Sequence, residues 1–224
     1  MNRLILIFFL LSPLSMQSHN ELCTIRKAGE NVYVSSQIDD HHEINYWFKK
    51  CMANDLFTFY RVSVTSGTTG TTVVNEAYSD NIGPFEIRGG GWCGGNHLFT
   101  DEKTQTAETF SIKLYADGQS ISSDTLLKAQ IIKLEVKNRI FNPLSAEQTG
   151  DKTYFTDTLC IENVNYTIRG NSIQVDLSHD YINRTPVIIT KYYGMQSMFK
   201  DENQLLTPLS LIHISEPTRP EPIS

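Results

Sequence analysis

The sequence predicts an all-β protein, built as an antiparallel β-sandwich. Apolar and polar residues alternate along residues 44–48, 56–64 and 129–140, which is the spacing of half-buried strands. The pair Asp117-Gly118, placed between two further runs of this kind, is a strong hairpin signal. No stretch combines long helical spacing with an N-cap and a glycine stop, so two packed antiparallel sheets are the expected architecture.

Most of the predicted strands follow one another across short turns. A two-residue turn at Asp117-Gly118 joins two of them, and residues 169–172 join another pair. As an alternative to strand, residues 125–133 could form a short turn of helix. The predicted strands are 44–48, 56–64, 111–116, 119–121, 129–140, 160–168, 173–177 and 187–193. The predicted loops are 65–72, 89–103 and 142–152.

The chain begins with the residue order of an export signal. Residues 1–3 carry a positive charge, residues 4–14 are almost wholly apolar, and residues 15–18 offer small side chains for cleavage. An apolar run of about 11 residues is too short for a membrane span, which needs about 20. We therefore expect residues 1–18 to be the signal peptide of a secreted, periplasmic or cell-surface bacterial protein that has no membrane span.

The other end of the chain resembles something that is not a protein. Residues 209–220 resemble the translation of a transposon-end adapter used in preparing sequencing libraries. This resemblance implies that residues 209–224 are a non-native tail and that the natural chain continues beyond Pro208. The alternative is a natural Pro-rich tail of low complexity. We expect a single, C-terminally truncated sandwich domain over residues 19–208.

Charge and cysteine content limit the classes of partner. The formal net charge is -6, and no cluster of basic residues is longer than Lys49-Lys50, so no nucleic-acid partner is expected. An even number of cysteines behind an export signal predicts up to two disulfides, in any of three pairings. No two cysteines have the short spacing of zinc sites, so neither a metal nor another cofactor is expected. The cysteines are Cys23, Cys51, Cys93 and Cys160.

The segment 88–97 is rich in glycine and also carries aromatic and amide side chains. Glycines permit positive φ angles and close backbone approach, so the segment predicts a site lined by main-chain groups. In the functional interpretation, Trp92 stacks on a sugar while Asn96 and His97 form hydrogen bonds to it. In the alternative, this is a strained crossover loop fixed by a disulfide of Cys93, with Trp92 buried. The dinucleotide and Walker phosphate-binding patterns are both absent.

Residues 39–43 place five ionisable side chains in a row, in the order Asp-Asp-His-His-Glu. On a strand, alternate members of this run would share a face and could hold a metal. However, no further ligand pattern accompanies the run, and such residues just before a strand are typical of a solvated turn. We therefore predict no metal site.

A second group of residues is suited to proton transfer. Tyr192 and Tyr193 would lie near His179 if the strand at 187–193 paired with the one before it. A histidine and a tyrosine could remove a proton beside a uronate carboxylate and reprotonate the leaving oxygen, as in a polysaccharide lyase. His97 is a further candidate. The alternative is packing, for which strands are commonly rich in tyrosine. Strand carboxylates that could serve glycoside hydrolysis are Glu135, Glu162 and Asp176.

Three segments resemble exported bacterial β-rich proteins to which no activity is assigned, namely residues 80–85, 94–97 and 192–196. Residues 95–99 also resemble the Asn-His-aromatic segment of galactose mutarotase-like supersandwich proteins, whose members bind or process sugars. This second resemblance covers five residues and implies a supersandwich-like fold and a carbohydrate ligand. The second catalytic histidine and the carboxylate of a mutarotase match no position here, so the resemblance implies no particular reaction.

Three functions follow from these observations. The first is a secreted or cell-surface carbohydrate-binding module, in which the glycan contacts are Trp92, Asn96, His97 and Tyr193. The second is a polysaccharide lyase or epimerase that uses one of the histidine and tyrosine candidates in proton transfer. The third is a structural or adhesive envelope protein without a small-molecule site.

Overall fold

Two antiparallel β-sheets pack against each other around one apolar core, which confirms the predicted all-β fold. The computed structural model describes residues 22–76, 83–194, 199–200 and 206–207. The predicted signal peptide, 1–18, and the predicted tail, 209–224, lie outside these residues. Within the described part of the chain, no helix is long and apolar enough to cross a membrane.

The described elements are strands of 2 to 12 residues and a single turn of 3₁₀ helix. The strands are β1 Cys23–Ala28, β2 Asn31–Gln37, β3 His42–Cys51, β4 Leu56–Ser66, β5 Gly70–Glu76, β6 Phe85–Ile87, β7 Gly91–Cys93, β8 Ala107–Ala116, β9 Gln119–Ser120, β10 Thr125–Ala129, β11 Ile132–Phe141, β12 Ala146–Thr149, β13 Lys152–Phe155, β14 Thr158–Arg169, β15 Ser172–Tyr181, β16 Ile189–Tyr192, β17 Phe199–Lys200 and β18 Leu206–Thr207. The 3₁₀ turn is Pro143–Ser145, inside the segment predicted as a loop.

The first sheet has six strands, in the order β10-β1-β2-β3-β4-β5. Alternate residues of each strand face inward, and a buried row crosses it through Ile25, Val34, Tyr46 and Val62. This alternation is the period of two seen in the sequence. The alternate residues of the same strands face away from the core and form the outward face of this sheet.

The second sheet has five strands, in the order β15-β14-β11-β8-β9. Its hairpins form at the predicted turns. Asp117 and Gly118 both have positive φ, 47° and 81°, as a type I′ turn between β8 and β9 requires. Gly170, with φ 51°, lies in the predicted turn between β14 and β15.

The sheets are joined through large side chains that meet in the core. The ring of Phe48 in the first sheet lies 5.2 Å from that of Tyr166 in the second, at 65°. The Tyr166 hydroxyl is hydrogen-bonded to the Thr58 hydroxyl at 3.0 Å, so this buried phenol keeps a partner. Burying a side chain of this size contributes about 1.5–3 kcal/mol, and the contacts between aromatic rings fix how the two layers meet.

The predicted turn of helix at 125–133 is wrong. Thr125–Ala129 is strand β10, paired with β1, and β11 begins at Ile132 in the other sheet. The strand predicted over 129–140 is therefore divided at a crossover between the layers. The Asp117 carboxylate accepts hydrogen bonds from the backbone N–H groups of Gln130 and Ile131 at 3.0 and 2.8 Å, which fixes this crossover. Cross-strand pairing outweighed the weak local preference for helix.

A small third sheet, in the order β16-β6-β7, lies over one end of the second sheet. Strand β16 pairs with β6 and not with β15, the strand before it in the chain. One face of the small sheet carries Phe85, Cys93 and Tyr192, and it packs inward against His179 of β15. The other face points outward.

No disulfide joins any two of the four cysteines, so the predicted disulfides are absent from the structure. Each lies buried on a different strand, β1, β3, β7 or β14, where it packs as a small apolar side chain. Burial raises the pKa of Cys51 and of Cys93 to about 12, which keeps both thiols protonated. An even number of cysteines did not lead to disulfides in this structure, because each thiol fills space in the core.

Candidate functional site

The glycine-rich loop after β7 is held in place by a buried amide. The Asn54 side chain donates to the carbonyl oxygens of Gly95 and His97 at 3.0 and 2.9 Å, and it accepts from the backbone N–H of Thr106 at 2.8 Å. Gly94 has φ 73°, and a Cβ there would lie 3.4 Å from the side chain of Ile140. The loop therefore needs glycine at this position for its positive φ, while a Cβ would be in ordinary contact with Ile140.

The outward face of the small sheet carries an aromatic cluster centred on Trp92. Its ring stacks with His97 at 5.0 Å and 19°, and with Tyr193 at 5.1 Å and 21°. Glu86 and Lys191 neighbour Trp92 on this face, with an ion pair of 3.1 Å between them, and the Lys191 ammonium lies 5.6 Å from the Trp92 ring. The hydrogen bond from Lys191 lowers the pKa of Glu86.

Three of the four predicted glycan contacts thus come together in space. Trp92 and His97 are half-buried, and Tyr193 is 39% exposed. Asn96 is exposed, but its side-chain oxygen accepts a hydrogen bond from the backbone N–H of Ala53 at 2.8 Å. Asn96 therefore helps to anchor the loop to the β3–β4 turn.

Beneath the small sheet lies a buried chain of polar groups. The Glu162 carboxylate, which is fully buried, accepts hydrogen bonds from His179 Nε2 at 3.0 Å and from the Asn138 side chain at 2.9 Å. The Asn138 oxygen accepts in turn from the Thr109 hydroxyl at 2.6 Å, and Thr109 accepts from the backbone N–H of Phe57 at 2.8 Å. Each of these hydrogen-bonded groups has a partner, as buried polar groups require.

The rings of Tyr192 and Phe85 surround His179. Their centroids lie 5.3 and 5.1 Å from the imidazole, both edge-on. The Tyr192 hydroxyl is buried and has no hydrogen-bond partner among the described residues. Burial, together with the nearby Glu162, raises the pKa of Tyr192, so its phenol remains protonated.

The small sheet therefore separates the four proton-transfer candidates into two pairs. His97 and Tyr193 lie on its outward face with Trp92, whereas His179 and Tyr192 lie under it with Glu162. The predicted proximity of His179 to Tyr192 is present, although it arises from packing between sheets and not from pairing of their strands.

The carboxylates proposed for glycoside hydrolysis also divide between two faces. Glu135 and Asp176 lie on the outward face of the second sheet, where each neighbours Asn165, while Glu162 faces the core. The sheet itself lies between Glu162 and the other two. Neither pair that includes Glu162 can act on one sugar ring.

The acidic and histidine-rich run at 39–43 forms a turn. The Asp39 carboxylate accepts from the backbone N–H groups of His41 and His42 at 2.8 and 2.9 Å, and it lies 2.9 Å from Nδ1 of His42. These hydrogen bonds lower the pKa of Asp39, led by the one from His41. Within the described residues, no three His, Cys, Asp or Glu side chains are grouped closely enough to hold a metal ion.

A groove of about 410 Å³ crosses the outward face of the six-stranded sheet. One side of it is a row of four side chains, each directly opposite the next on adjacent strands: Arg26, Tyr33, Trp47 and Arg61. The Tyr33 and Trp47 rings stack at 5.3 Å and 27°. Each guanidinium lies 5.8 Å from the ring beside it, which is cation–π distance. We call these four residues the Arg–aromatic ladder.

The other side of the groove is a parallel row of small polar side chains. Two residues along each strand from the ladder, the sheet places Thr24, Ser35, Asn45 and Ser63 opposite one another. They supply hydroxyl and amide groups along the whole length of the groove. A mostly apolar wall with several converging polar groups is the usual composition of a ligand site.

Neighbouring residues fix the orientation of Trp47. Its indole N–H donates to the Asn31 side chain at 2.9 Å. A β-bulge in β4 adds Tyr60 to this surface, where its ring meets Trp47 edge-on at 4.7 Å. The Lys49 ammonium lies 3.7 Å from the Tyr60 ring centroid and 4.8 Å from that of Trp47. These contacts define one orientation of the Trp47 ring.

Sequence reasoning missed this groove, although it carried one signal. The predicted strand at 44–48 buries Tyr46 and Phe48, which leaves Trp47 on the polar face with Asn45. A tryptophan on the wet face of a strand is an uncommon placement and marks a surface worth testing for ligands. The partners Tyr33 and Arg26 could not be found in this way, because the register of three strands brings them together.

Comparison of the chain with models of protein families, with curated proteins and with solved structures found no match. The geometry of its own residues is therefore the basis for a functional proposal.

Proposed function

We propose that this protein is a secreted or cell-surface carbohydrate-binding module that binds a glycan chain in the groove of its six-stranded sheet. The observation that carries the proposal is the pair of parallel rows, the Arg–aromatic ladder beside the row of hydroxyl and amide groups. The two rows offer apolar and hydrogen-bonding surface side by side, as a sugar ring also does.

The match is one of chemistry and of dimension. A sugar presents C–H groups that pack against aromatic rings, and hydroxyls that exchange hydrogen bonds with Ser, Thr and Asn side chains. The groove crosses four strands at about 4.8 Å per step, so it accommodates several sugar units in line. Because Tyr33 and Trp47 are already stacked on each other, little side-chain entropy is lost on binding.

The Trp92 cluster is a second aromatic surface and remains the alternative location of the proposed glycan site. Trp92, His97 and Tyr193 stack on the outward face of the small sheet, with Asn96 at the edge of the same loop. Substitutions at Trp47 and Trp92 separate the two surfaces, since each carries one of the two tryptophans in the chain.

A glycan array probed with the wild-type protein, Trp47→Ala and Trp92→Ala tests the proposal. We expect specific binding by the wild type that is lost in Trp47→Ala and kept in Trp92→Ala, with circular dichroism showing that both variants are folded. Loss in Trp92→Ala alone would move the site to the small sheet. Absence of binding by the folded wild type would contradict the proposal and favour a structural or adhesive envelope protein.

The second candidate function is a polysaccharide lyase or epimerase. It is favoured by His97 and Tyr193, which both stack on Trp92 on the accessible outward face of the small sheet, whereas His179, Glu162 and Tyr192 are enclosed beneath it. Lyase activity would release unsaturated sugars that absorb in the near ultraviolet. Absorbance that rises with wild type and not with His97→Gln would support it, whereas no rise on any acidic polysaccharide would exclude the lyase.

A further inference from the structure

The charges of the groove point to the class of glycan it binds. Building on the proposed function, we propose that the ligand is an acidic polysaccharide, a uronate carboxylate of which pairs with the Arg26 guanidinium at the β1 end of the Arg–aromatic ladder. The groove has this cationic group at one end and an aromatic and hydroxyl-bearing centre.

The residues that line the groove include two guanidinium groups and no carboxylate. Arg26 is exposed, and no carboxylate of the described residues lies within ion-pair distance of it. The Lys49 ammonium adds a third positive charge beside Trp47. A cationic groove on a chain of formal net charge -6 concentrates positive charge at one surface and attracts an anionic ligand there.

The position of Arg26 at one end of the ladder suits a polymer that carries carboxylates. Arg26 is on β1, and Tyr33 and Trp47 follow it on the next two strands, at about 4.8 Å per strand step. A sugar whose carboxylate pairs with Arg26 therefore places the next sugars of the chain along Tyr33 and Trp47.

The contact of Arg26 with its neighbour in the ladder also favours carboxylate binding. The guanidinium carbon of Arg26 lies 5.8 Å from the centroid of the Tyr33 ring, and this cation–π contact favours one position of an otherwise exposed side chain. Guanidinium binds carboxylate through two parallel hydrogen bonds, in a geometry that an ammonium cannot reproduce. The row of Ser, Thr and Asn side chains beside the ladder can form hydrogen bonds with sugar hydroxyls along the whole groove. Single-stranded nucleic acid does not require a continuous row of such groups.

The experiment is titration calorimetry of the full chain with hexagalacturonate, with its methyl ester, and with a single-stranded DNA oligonucleotide. The ester keeps every sugar and removes the negative charges. Variants are Arg26→Gln, and Lys133→Gln as a control with the same change of charge on an exposed position of the other sheet. We expect binding of hexagalacturonate that weakens about tenfold or more in Arg26→Gln, as loss of a charge-assisted hydrogen bond implies, with no change in Lys133→Gln.

The possible outcomes separate this inference from the proposed function. Equal affinity for hexagalacturonate and its ester, with no effect of Arg26→Gln, would overturn the acidic class while leaving a carbohydrate-binding groove. Binding of DNA as tight as that of hexagalacturonate would overturn it in favour of a general anion surface. If neither hexagalacturonate nor its ester binds but a neutral glycan binds on the array, the proposal of an acidic ligand is wrong and the proposed carbohydrate-binding function stands. If no glycan binds by either method, the proposed function fails with it.

Discussion

The imidazole of His179 lies 3.0 Å from the carboxylate of Glu162, across neighbouring strands β14 and β15, and the carboxylate is completely buried. The side chain of His179 is itself only 9% exposed. A carboxylate at this depth is tolerated because Asn138 and His179 both donate to it. The small sheet that carries Phe85 and Tyr192 completes the enclosure.

Replacing Glu162 by alanine should therefore be strongly destabilising. The change leaves the Asn138 amide and His179 Nε2 buried without their acceptor, and removing one partner of such a buried group costs about 3–5 kcal/mol. Urea denaturation followed by circular dichroism measures the loss. Glu135→Ala is the control, since Glu135 lies on the outward face of the same sheet and should change stability by less than about 0.5 kcal/mol. Equal losses in the two variants would contradict this account of the core.

Asn54 should control the position of the glycine-rich loop. Asn54→Ala removes the side-chain donor to the carbonyl oxygen of Gly95 and the acceptor of the backbone N–H of Thr106, which should cost about 1–3 kcal/mol. In a Trp47→Phe background, Trp92 is the remaining tryptophan of two, and its fluorescence should shift to longer wavelength as the loop loosens. Asn163→Ala, which removes an exposed amide of the second sheet, should leave the spectrum unchanged. An unshifted Asn54→Ala spectrum would show that Trp92 is held by other contacts.

Asp101 should make stability depend on pH in the acid range. The Thr104 hydroxyl, the backbone N–H groups of Thr104 and Lys103, and the Thr153 hydroxyl hold the pKa of Asp101 well below its usual range. Because the unfolded carboxyl takes up a proton near pH 4, this stabilisation is present above pH about 4 and is lost as pH falls towards the folded pKa.

The comparison of Asp101→Asn with wild type measures this effect. The variant should have a lower Tm at neutral pH and a shallower fall in Tm below pH about 4, so the two curves converge in acid. Asp151→Asn, an exposed carboxyl on the neighbouring turn, provides the control for removing one negative charge. Parallel curves for wild type and Asp101→Asn would contradict the hydrogen-bonding role of Asp101.

The four buried thiols give a chemical test of the core. All four should be unreactive towards a thiol reagent at pH about 8 in the native protein, because burial excludes the reagent and raises the pKa of Cys51 and Cys93. In guanidinium chloride without reductant, all four should react. Protein purified from an oxidising compartment that shows two or fewer thiols when denatured would restore the disulfide prediction.

The sequence predicted structure correctly where apolar–polar alternation or turn residues determine it over a few neighbouring positions. The alternation of residues 44–48 and 160–168 predicts strands that are present, and Asp117-Gly118 predicts a turn that has the required positive φ angles. The prediction failed at residues 125–133, where a weak helical preference was outweighed by pairing with β1, a strand about 100 positions away. The groove was missed for the same reason, since its ladder takes one residue from each of four strands.

The sequence by itself determined the all-β class, most of the hairpins and the unusual character of the segment 88–97, because alternation, turn residues and glycine content act over a few neighbouring positions. Only the tertiary structure decided that His97 and His179 lie on opposite faces of one small sheet, and that Arg26, Tyr33 and Trp47 form one row. These relationships depend on strand register and on the packing of sheets. Both are set by the total burial of apolar surface over the whole domain, which no local pattern contains.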